Sequence, residues 1–206
     1  KCKELGIEIV AEQVAAGAAD VSAAVTSLKS ANVDFVIIAA IQATMPTIAK
    51  EMAAQGMHVP AITTYVNVSA SISETVAADI EGVFDIYGNG WVSYEDMRAE
   101  NLALYKTWAP EEYGDNTYAQ TGWIAASFFC EGVKRVADNK EELTWDSYMK
   151  ALEQAPIENP FGGTIDYSNG SRVGTKVMNL SKVSASAENG WELVDGLHSM
   201  EELLEQ

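Results

Sequence analysis

Few side chains in this sequence could do acid–base, nucleophilic or metal chemistry. The two histidines, His58 and His198, and the two cysteines, Cys2 and Cys130, form no CxxC pair and no Cys/His cluster. A zinc site needs such a cluster, and a hydrolase with a histidine base needs a partnered imidazole. The sequence therefore predicts no metal site, no cofactor and no catalytic residue among them.

Motifs for phosphate binding or nucleophilic catalysis are also absent. The chain contains no GxxxxGK loop and no GxSxG elbow, and Gly88-Asn89-Gly90 lacks the third glycine of a dinucleotide-binding loop. Paired carboxylates are plentiful in this acidic chain and identify nothing by themselves. An enzyme with a doubly wound α/β fold remains the less favoured alternative.

The net charge argues against one class of partner. A formal charge of −17 over 206 residues disfavours nucleic acid, because duplex binding depends on Lys and Arg side chains that neutralise phosphates. The acidic residues are scattered, which is typical of a solvated surface. No apolar run approaches the roughly 20 residues of a membrane helix. Cys130 lies in the apolar stretch 125–133 and is expected to be buried.

The first residues indicate that more chain precedes them in the natural protein. Residues 1–6 read as the last turn of a helix that stops at Gly6. A natural protein rarely begins on such a turn, and no secretion signal is present. We therefore expect upstream segments, including the signal segment, to be missing from this sequence.

The first third alternates short apolar runs with amphipathic segments, which is the pattern of an α/β fold. The run Phe35–Ala40 is apolar at every position, which predicts a central parallel strand covered on both faces. Helices are expected after Asp20, which could cap the first of them, before Gly56, and at residues 73–79. Further strands are expected at residues 7–11, 60–65 and 82–87.

A boundary between two lobes is expected at Gly88-Asn89-Gly90, where the alternation ends. The next region is helical, with a long helix at about residues 117–137 and another capped by Thr144. Aromatic stripes at helical spacing usually lie in a core. Most of the following positions are expected to be buried on this basis: Tyr94, Met97, Leu102, Tyr105, Trp123, Phe129, Val133, Val136, Trp145, Tyr148, Met149 and Leu152.

The end of the chain is rich in strand signals. Residues 163–167 precede the turn Asn169-Gly170, and residues 176–183 are expected to return as the partner strand. A second turn, Asn189-Gly190, leads into Trp191–Val194 and predicts another hairpin.

Local segments in this order resemble the branched-chain amino acid type of periplasmic binding protein, over nearly the whole chain. Each segment is weak evidence alone, and their order and spacing make the case. The matching segments are Ala19–Val25, Val33–Ile38, Ala54–Gly56, Ala78–Val83, Tyr118–Ala119 and Phe161–Gly170, together with Trp191 after its turn.

The resemblance implies an α/β fold of the type I periplasmic-binding-protein class. One lobe would be a doubly wound parallel sheet, and helices and strands of a second lobe would follow. Residues 1–91 would form the carboxyl-terminal lobe, residues 92–172 segments of the amino-terminal lobe, and residues 173–206 the returning strands and tail.

The resemblance also implies a role and a location. Members of this family are extracytoplasmic receptors, in the periplasm or lipid-anchored at the outer face of the membrane. They close like a hinged clamp on a small solute and deliver it to the membrane permease of an ABC importer. A ligand-sensing regulatory domain on the same fold is the alternative, and the upstream sequence would separate the two roles.

Ligand contacts implied by the resemblance fall on two loops after strands and on the start of the long helix. In open α/β sheets, ligands in general bind beyond the carboxyl ends of the strands. Gln42 could instead cap the next helix, Trp123 could belong to the core, and Asn67 could serve only its own turn. The candidate residues are Ile41, Gln42, Thr64, Tyr65, Asn67 and Trp123.

Tyr65 departs from the pattern of the amino acid binders in this family. Those proteins often place an acidic residue at about this position, where it pairs with the α-ammonium group of the ligand. A buried ammonium group without a paired charge is costly, and no carboxylate stands beside Tyr65 in the sequence. Either another residue supplies the charge, or the ligand is not an ordinary α-amino acid. An aromatic or amide-like ligand stacked on Tyr65 and Trp123 is one hypothesis.

An incomplete second lobe would have a consequence of its own. If the upstream half supplies its partner strands, the apolar helices of this lobe are either exposed or covered by self-association of the chain.

Overall fold

A computed structural model describes residues 2–90, 99–114, 116–187 and 189–204. The chain divides into two compact units. Unit 1 combines Lys1–Asn89 with Ser181–Glu192, and unit 2 combines Gly90–Leu180 with Leu193–Gln206. The polypeptide therefore crosses between the units three times.

Helices and strands alternate in the first part of the chain and then separate into a helical and a β-rich region. The elements of the described residues are α1 (Ser22–Ser30), β1 (Val36–Ile38), α2 (Met45–Ala54), β2 (Ala61–Thr63), α3 (Ala70–Ile80), β3 (Ile86–Gly90), α4 (Ala99–Trp108), α5 (Thr117–Asp138), α6 (Trp145–Glu153), β4 (Ile157–Glu158), β5 (Thr164–Ile165), β6 (Val177–Val183), β7 (Trp191–Ser199) and α7 (Met200–Leu204). Within the described ranges, no helix is both long and apolar enough to span a membrane.

Three short parallel strands form the centre of unit 1. β1 pairs with β2 and β2 pairs with β3, so that Ile37, Ile62 and Tyr87 lie side by side across the sheet. Because all three strands run in one direction, their carboxyl ends meet at the same edge. The β-strand, α-helix, β-strand alternation predicted for this part of the chain is confirmed.

Each helix of unit 1 buries one apolar face in the same core as the strands. The buried positions on α2 are Met45, Ala49 and Met52, spaced three and four residues apart. Burying a methionine side chain contributes about 1.5–3 kcal/mol. Gly56 lies two residues after α2 and has φ +64°, a left-handed backbone conformation that glycine adopts readily and that stops the helix. The core also includes Val21, Val25, Ile72, Val76 and Ile80 from α1 and α3.

Asp20 supports α1 from one position further upstream than predicted. The residue before the helix is Val21, and the Asp20 carboxylate accepts hydrogen bonds from the backbone N–H of Ser22 (2.9 Å) and from its hydroxyl (2.7 Å). These bonds hold the pKa of Asp20 below its usual value. Asp20 therefore supports the start of α1 by binding Ser22, the first helical residue, although Val21 and not Asp20 occupies the N-cap position.

The prediction that β1 is a central strand covered on both faces is wrong. Ile37 is 72% exposed, and β1 is the outermost strand of the sheet β1-β2-β3-β6-β7. Residues 7–11, predicted to be a strand, form no regular element, and Ile7 and Ile9 are exposed. No described strand pairs with the outer side of β1, and the alternating burial of Val36, Ile37 and Ile38 shows that only one face of this strand meets the core. A strand without a partner does not form in water.

A hairpin returns the chain to unit 1. β6 and β7 are neighbours in the sheet, and the N–H of Ser184 donates to the carbonyl of Gly190 at 2.9 Å. The hydroxyl of Ser73, on α3, also donates to the Gly190 carbonyl, at 2.7 Å. The hairpin predicted around Asn189-Gly190 is confirmed, and its turn is joined directly to α3.

Trp191 fixes the first residue of β7 against the sheet. The indole is 5% exposed, and its Nε1 donates to the carbonyl of Ser69 at 2.9 Å. A Cβ atom on Gly88 would lie 2.9 Å from the Trp191 ring and 2.5 Å from Val68. The ring can therefore lie over β3 only because position 88 has no side chain.

In unit 2, α5 packs along α6. A Cβ atom on Gly132 would lie 2.5 Å from Cε2 of Tyr148 and 3.0 Å from Cδ2 of Leu152, so the missing side chain allows the close approach. Thr144 caps α6 through a reciprocal bond pair with Ser147, which confirms the predicted cap.

Arg135 binds the carbonyl groups at and after the carboxyl end of α6. Its guanidinium donates to the carbonyls of Ala151 (3.2 Å), Ala155 (2.8 Å) and Pro156 (3.0 Å), and its Nε pairs with Glu131 at 2.9 Å. The positive charge therefore lies at the helix end where carbonyl oxygens accumulate partial negative charge.

The buried face of α5 differs from the predicted one. Its buried residues, Gln120, Ile124, Gly132 and Val136, follow a four-residue spacing. Phe129 is 58% exposed even though its ring packs against Tyr148 of α6, with ring centroids 5.7 Å apart, and Cys130, which lies off this stripe, is exposed. Both predictions of burial are therefore wrong.

Burial in α4 and α6 was also only partly predicted. Trp145, at the first turn of α6, is 76% exposed, and its predicted burial is wrong. Tyr105 is buried as predicted, at 2% exposure, against Ile124 and Phe161. The positions Tyr94 and Met97 lie outside the described residues.

The strand pairing near residue 165 also differs from the prediction. β5 pairs with β4 in antiparallel fashion, with Ile165 opposite Ile157, and not with residues 176–183. Asn159 holds the connecting loop, since its Oδ1 accepts the N–H of Phe161 at 3.0 Å. β6 instead joins the five-stranded sheet.

We predict opposite effects for two alanine substitutions within α5. Gly132→Ala should lower the free energy of unfolding by about 1–3 kcal/mol, because the new methyl group overlaps Tyr148. Gly122→Ala meets no atom within 4 Å and should raise it by about 0.5–1 kcal/mol through helix propensity. Urea unfolding of both variants measures this, and equal effects would show that the α5–α6 contact is not as tight as described.

Trp191→Phe should destabilise the protein by about 1–3 kcal/mol, because the Ser69 carbonyl loses its donor while staying buried. The matched control is Trp108→Phe, since Trp108 is 73% exposed and should change stability by less than about 0.5 kcal/mol. Thermal unfolding followed by tryptophan fluorescence and circular dichroism would compare them. A Trp191→Phe variant as stable as the control would contradict the anchoring role.

Candidate functional site

The loop after β1 turns directly into α2. The carbonyl of Ile41 accepts hydrogen bonds from the N–H groups of Thr44 (2.9 Å) and Met45 (3.0 Å), while the Ile41 side chain is 50% exposed. Thr44 is the N-cap residue of α2, and its Oγ1 accepts the N–H of Gly17 at 2.7 Å. An apolar side chain is therefore presented at the sheet edge by a tightly bonded turn.

Gln42 connects this loop with the one after β2. Its Nε2 donates to the carbonyl of Val66 at 2.5 Å, and the side chain is partly buried. The N-cap of α2 is Thr44, so the structure places Gln42 in a bridge between two loops and not at the helix cap.

The loop after β2 is a single 3-10 turn, Tyr65–Asn67. Thr64 precedes it in extended conformation, and its carbonyl accepts the N–H of Asn67 at 2.9 Å. Tyr65 is 40% exposed at the beginning of the turn. The turn thus presents a tyrosine beside Gln42 and its partner Val66.

Asn67 is fully buried beneath this turn. Its Nδ2 donates to the carbonyl of Ala40 and to Oγ1 of Thr63, both at 2.7 Å. Thr63 in turn donates to the carbonyl of Ile38 at 3.1 Å. Oδ1 of Asn67 has no hydrogen-bond partner. The side chain therefore ties the carboxyl ends of β1 and β2 together, and it serves more than its own turn.

Trp123 lies in unit 2, on α5. It is half-buried and packs edge-to-face against Tyr105, with ring centroids 5.6 Å apart and an interplanar angle of 73°. The structure thus brings five of the candidates together at the edge of the unit 1 sheet. The sixth packs against the core of unit 2.

Some polar residues with unusual surroundings escaped the sequence analysis. Gln120 is 1% exposed, and neither its Nε2 nor its Oε1 has a hydrogen-bond partner; Oγ1 of Thr117, one turn earlier, also lacks one. Thr63 was assigned only to a strand. A glutamine on an otherwise apolar helical stripe was the one signal available for Gln120.

Both histidines have a polar partner in the structure. Nδ1 of His58 lies 3.0 Å from the carbonyl of Val83, and Nε2 of His198 lies 2.9 Å from Oδ1 of Asp195. Glu202 is 3.7 Å from Nδ1 of His198, and its pKa is lowered, mainly by the N–H of Ser199. In the described part of the chain, no three His, Cys, Asp or Glu side chains gather in a way that could hold a metal ion.

The sequence matches one protein family over most of its length. A family profile described as "Periplasmic binding protein" matches residues 1–188. The chain belongs to this family. No curated protein matches the sequence significantly.

Solved structures with the same fold are similar to this periplasmic binding protein. One is a branched chain amino acid ABC transporter protein from Thermus thermophilus with bound valine. It has a TM-score of 0.79 and 17% identity, and the match covers 96% of this chain and 55% of the other. Another is a fatty acid ABC transporter substrate-binding protein from Thermomonospora curvata, with a TM-score of 0.79, 17% identity, and coverage of 97% and 52%.

A third neighbour, an ABC transporter substrate-binding protein from Aeropyrum pernix, has a TM-score of 0.67 and 14% identity. The match covers 86% of this chain and 48% of the neighbour. The α/β fold of the type I periplasmic-binding-protein class predicted from the sequence is confirmed. The chain spans about half the length of these solved structures.

Asn67→Ala should lower the free energy of unfolding by roughly 1–3 kcal/mol, because it leaves the Ala40 carbonyl and the Thr63 hydroxyl without their donor. Hydrogen exchange at residues 64–68 should accelerate at the same time, since the turn loses its support. Asn139→Ala, at an exposed position after α5, is the control and should change neither quantity measurably. Unchanged exchange in the Asn67 variant would contradict a positioning role.

Proposed function

We propose that this chain belongs to the substrate-binding component of an ABC importer and that it binds a small solute at the carboxyl edge of β1, β2 and β3. The observation that carries the proposal is the clustering of Ile41, Gln42, Thr64 and Tyr65 at that edge, in a chain of the periplasmic binding protein family. Edges of this kind are where open α/β sheets bind ligands.

The side chains at this edge are suited to binding and not to catalysis. An amide, a hydroxyl, a phenol and an aliphatic group supply hydrogen bonds and apolar contact area, which small-molecule sites combine. General acid–base chemistry most often uses a histidine or a carboxylate, and residues 35–49 and 59–73, which supply these side chains, contain neither. The two histidines contact Val83 and Asp195 instead. The relatives are substrate-binding proteins, which supports the same conclusion.

The family leaves the class of solute open. The Thermus thermophilus structure contains valine, and the Thermomonospora curvata protein is named for fatty acids. At 17% identity these neighbours show a common fold and no common ligand. The ligand of this chain is proposed to be a small polar or aromatic solute, an amino acid or a related compound.

Closure on the ligand, delivery to a membrane permease and an extracytoplasmic location are parts of the same proposal. Closure is supported by the chain path, because the polypeptide crosses between the units only at residues 89–90, 180–181 and 192–193. A few crossing points are what a hinge requires, since only those residues must change their backbone angles.

A thermal-shift screen of the natural full-length protein against small metabolites tests the receptor function. A ligand at 100 times its Kd should stabilise the protein by about 2.7 kcal/mol by mass action. X-ray scattering with the best ligand should show compaction. Absence of any stabilising compound across amino acids, organic acids and amides would count against a solute receptor.

Tyr65→Ala should weaken binding of the best compound at least tenfold, because an exposed aromatic contact at the edge is lost. Tyr113→Ala is the matched control, since Tyr113 is a tyrosine of similar exposure in unit 2, at 46%, outside the proposed site. Calorimetry measures both affinities. Equal affinities in the two variants would show that the ligand does not bind at this edge.

A further inference from the structure

Three asparagines in the chain are followed directly by glycine: Asn89, Asn169 and Asn189. An Asn-Gly pair can modify itself without an enzyme, because the backbone nitrogen of the glycine can attack the side-chain amide carbon of the asparagine. Glycine favours this attack, since it has no Cβ atom beside its nitrogen and its backbone rotates freely. In a folded protein, the surroundings of each pair decide whether the two atoms can meet.

Asn169 and Asn189 occupy turns with the same local hydrogen bonds. Oδ1 of each asparagine accepts the N–H of the residue two positions later, at 2.9 Å for Asn169 and 3.2 Å for Asn189. The N–H of the following glycine donates to the carbonyl three positions before it, at 3.0 Å in the first turn and 2.9 Å in the second. Because these bonds match, a large difference in reactivity has to come from what holds each turn.

The turn at Asn189 is held by α3. The Gly190 carbonyl accepts the N–H of Ser184 at 2.9 Å and the hydroxyl of Ser73 at 2.7 Å. A Cβ atom on Gly190 would lie 2.5 Å from Ser73, and both residues of the Asn-Gly pair are partly buried. The backbone of this turn therefore cannot rotate for the attack without losing its contacts with Ser73 and Ser184.

Asn89 is held within a sheet. It lies on β3, which stands between β2 and β6 in the strand order. Gly90, the last residue of β3, is buried. The attack needs the glycine nitrogen to turn toward the asparagine side chain, and the extended backbone of a strand opposes that rotation.

The turn at Asn169 is held mainly by its own bonds. Ser168, Asn169 and Gly170 are exposed, and a Cβ atom on Gly170 would meet no atom within 4 Å. Residues 171–176, which follow, form no helix or strand. The bond from Gly170 to Tyr167 has to open before the nitrogen can attack, and opening costs least where few contacts hold the backbone.

We propose that Asn169 is a site of spontaneous deamidation in the folded protein and that Asn89 and Asn189 are protected from it. The Gly170 nitrogen forms a bond to Cγ of Asn169 and gives its proton to water or hydroxide. The C–N bond of the side-chain amide breaks, and its nitrogen takes up a proton and leaves as ammonia. Water then opens the cyclic succinimide at either carbonyl carbon, which leaves aspartate or isoaspartate at position 169. The inference does not depend on the proposed function.

Incubation of the natural full-length protein in mildly alkaline buffer tests this inference. Digestion at low pH stops the reaction, and mass spectrometry of the peptides reports the loss of each side-chain amide. In the folded protein, Asn169 should react at least tenfold faster than Asn189 and Asn89. In concentrated urea the three rates should become comparable, because the turn at Asn189 and the strand around Asn89 lose their support.

Two variants separate the effect of packing from that of local sequence. Gly170→Ala places a methyl group beside the attacking nitrogen and should slow the reaction at Asn169 at least tenfold. Ser73→Ala removes the hydroxyl that binds the Gly190 carbonyl, and it should accelerate the reaction at Asn189 while leaving that at Asn169 unchanged. Circular dichroism confirms that each variant is folded before its rates are compared.

Equal rates at Asn169 and Asn189 in the folded protein would overturn the inference. An Asn169 that stays intact while the unfolded protein reacts would overturn it as well, because the turn would then be as well protected as the other two pairs. An unchanged rate at Asn189 in the Ser73→Ala variant would show that contact with α3 does not protect that turn, which contradicts the physical basis of the proposal.

Discussion

The parallel register of β1, β2 and β3 positions every candidate ligand-binding residue of unit 1. Parallel pairing brings the carboxyl ends of β1 and β2 to one edge, and two loops that are distant in sequence become neighbours. Asn67 strengthens this arrangement, because its buried amide links the last residue of β2 with the carbonyl of Ala40. A buried hydrogen-bonded amide of this kind is expensive to disturb. The edge is therefore held in place from within.

A residue near the end of the chain also supports this arrangement, from β7 at the opposite end of the strand order. Trp191 donates to Ser69, the N-cap residue of α3, and lies over Gly88 on β3. One indole thus joins β7, the start of α3 and β3 in unit 1. Because α3 begins directly after the turn that presents Tyr65, the position of this tyrosine depends on a residue more than a hundred positions later.

The sequence predicts structural features that interactions between nearby residues determine. It does not predict features that depend on residues distant in sequence. The spacing of Met45 and Met52, the Thr144 cap and the Asn189-Gly190 turn act over a few residues, and all three predictions are confirmed. The prediction of a covered central strand at Phe35–Ala40 is wrong because both its place in the sheet and the cover on its two faces depend on segments distant in sequence. The predicted burial of Phe129 is wrong because its ring meets only Tyr148 of α6 at the margin of the helix pair and stays 58% exposed, a contact that depends on a residue distant in sequence.

In the candidate site, too, some features follow from local sequence and others depend on residues distant in sequence. The ends of the strands follow from local sequence patterns, and these patterns are enough to place Gln42 and Tyr65 at the edge. The roles of the loop residues do not follow from such patterns, since the Gln42–Val66 bond and the burial of Asn67 join separate loops. Buried Asn67 holds the two loops together, whereas exposed Tyr65 is a proposed contact with the solute. A sequence pattern can mark both as loop residues after a strand, but only the fold separates the buried amide from the exposed ring.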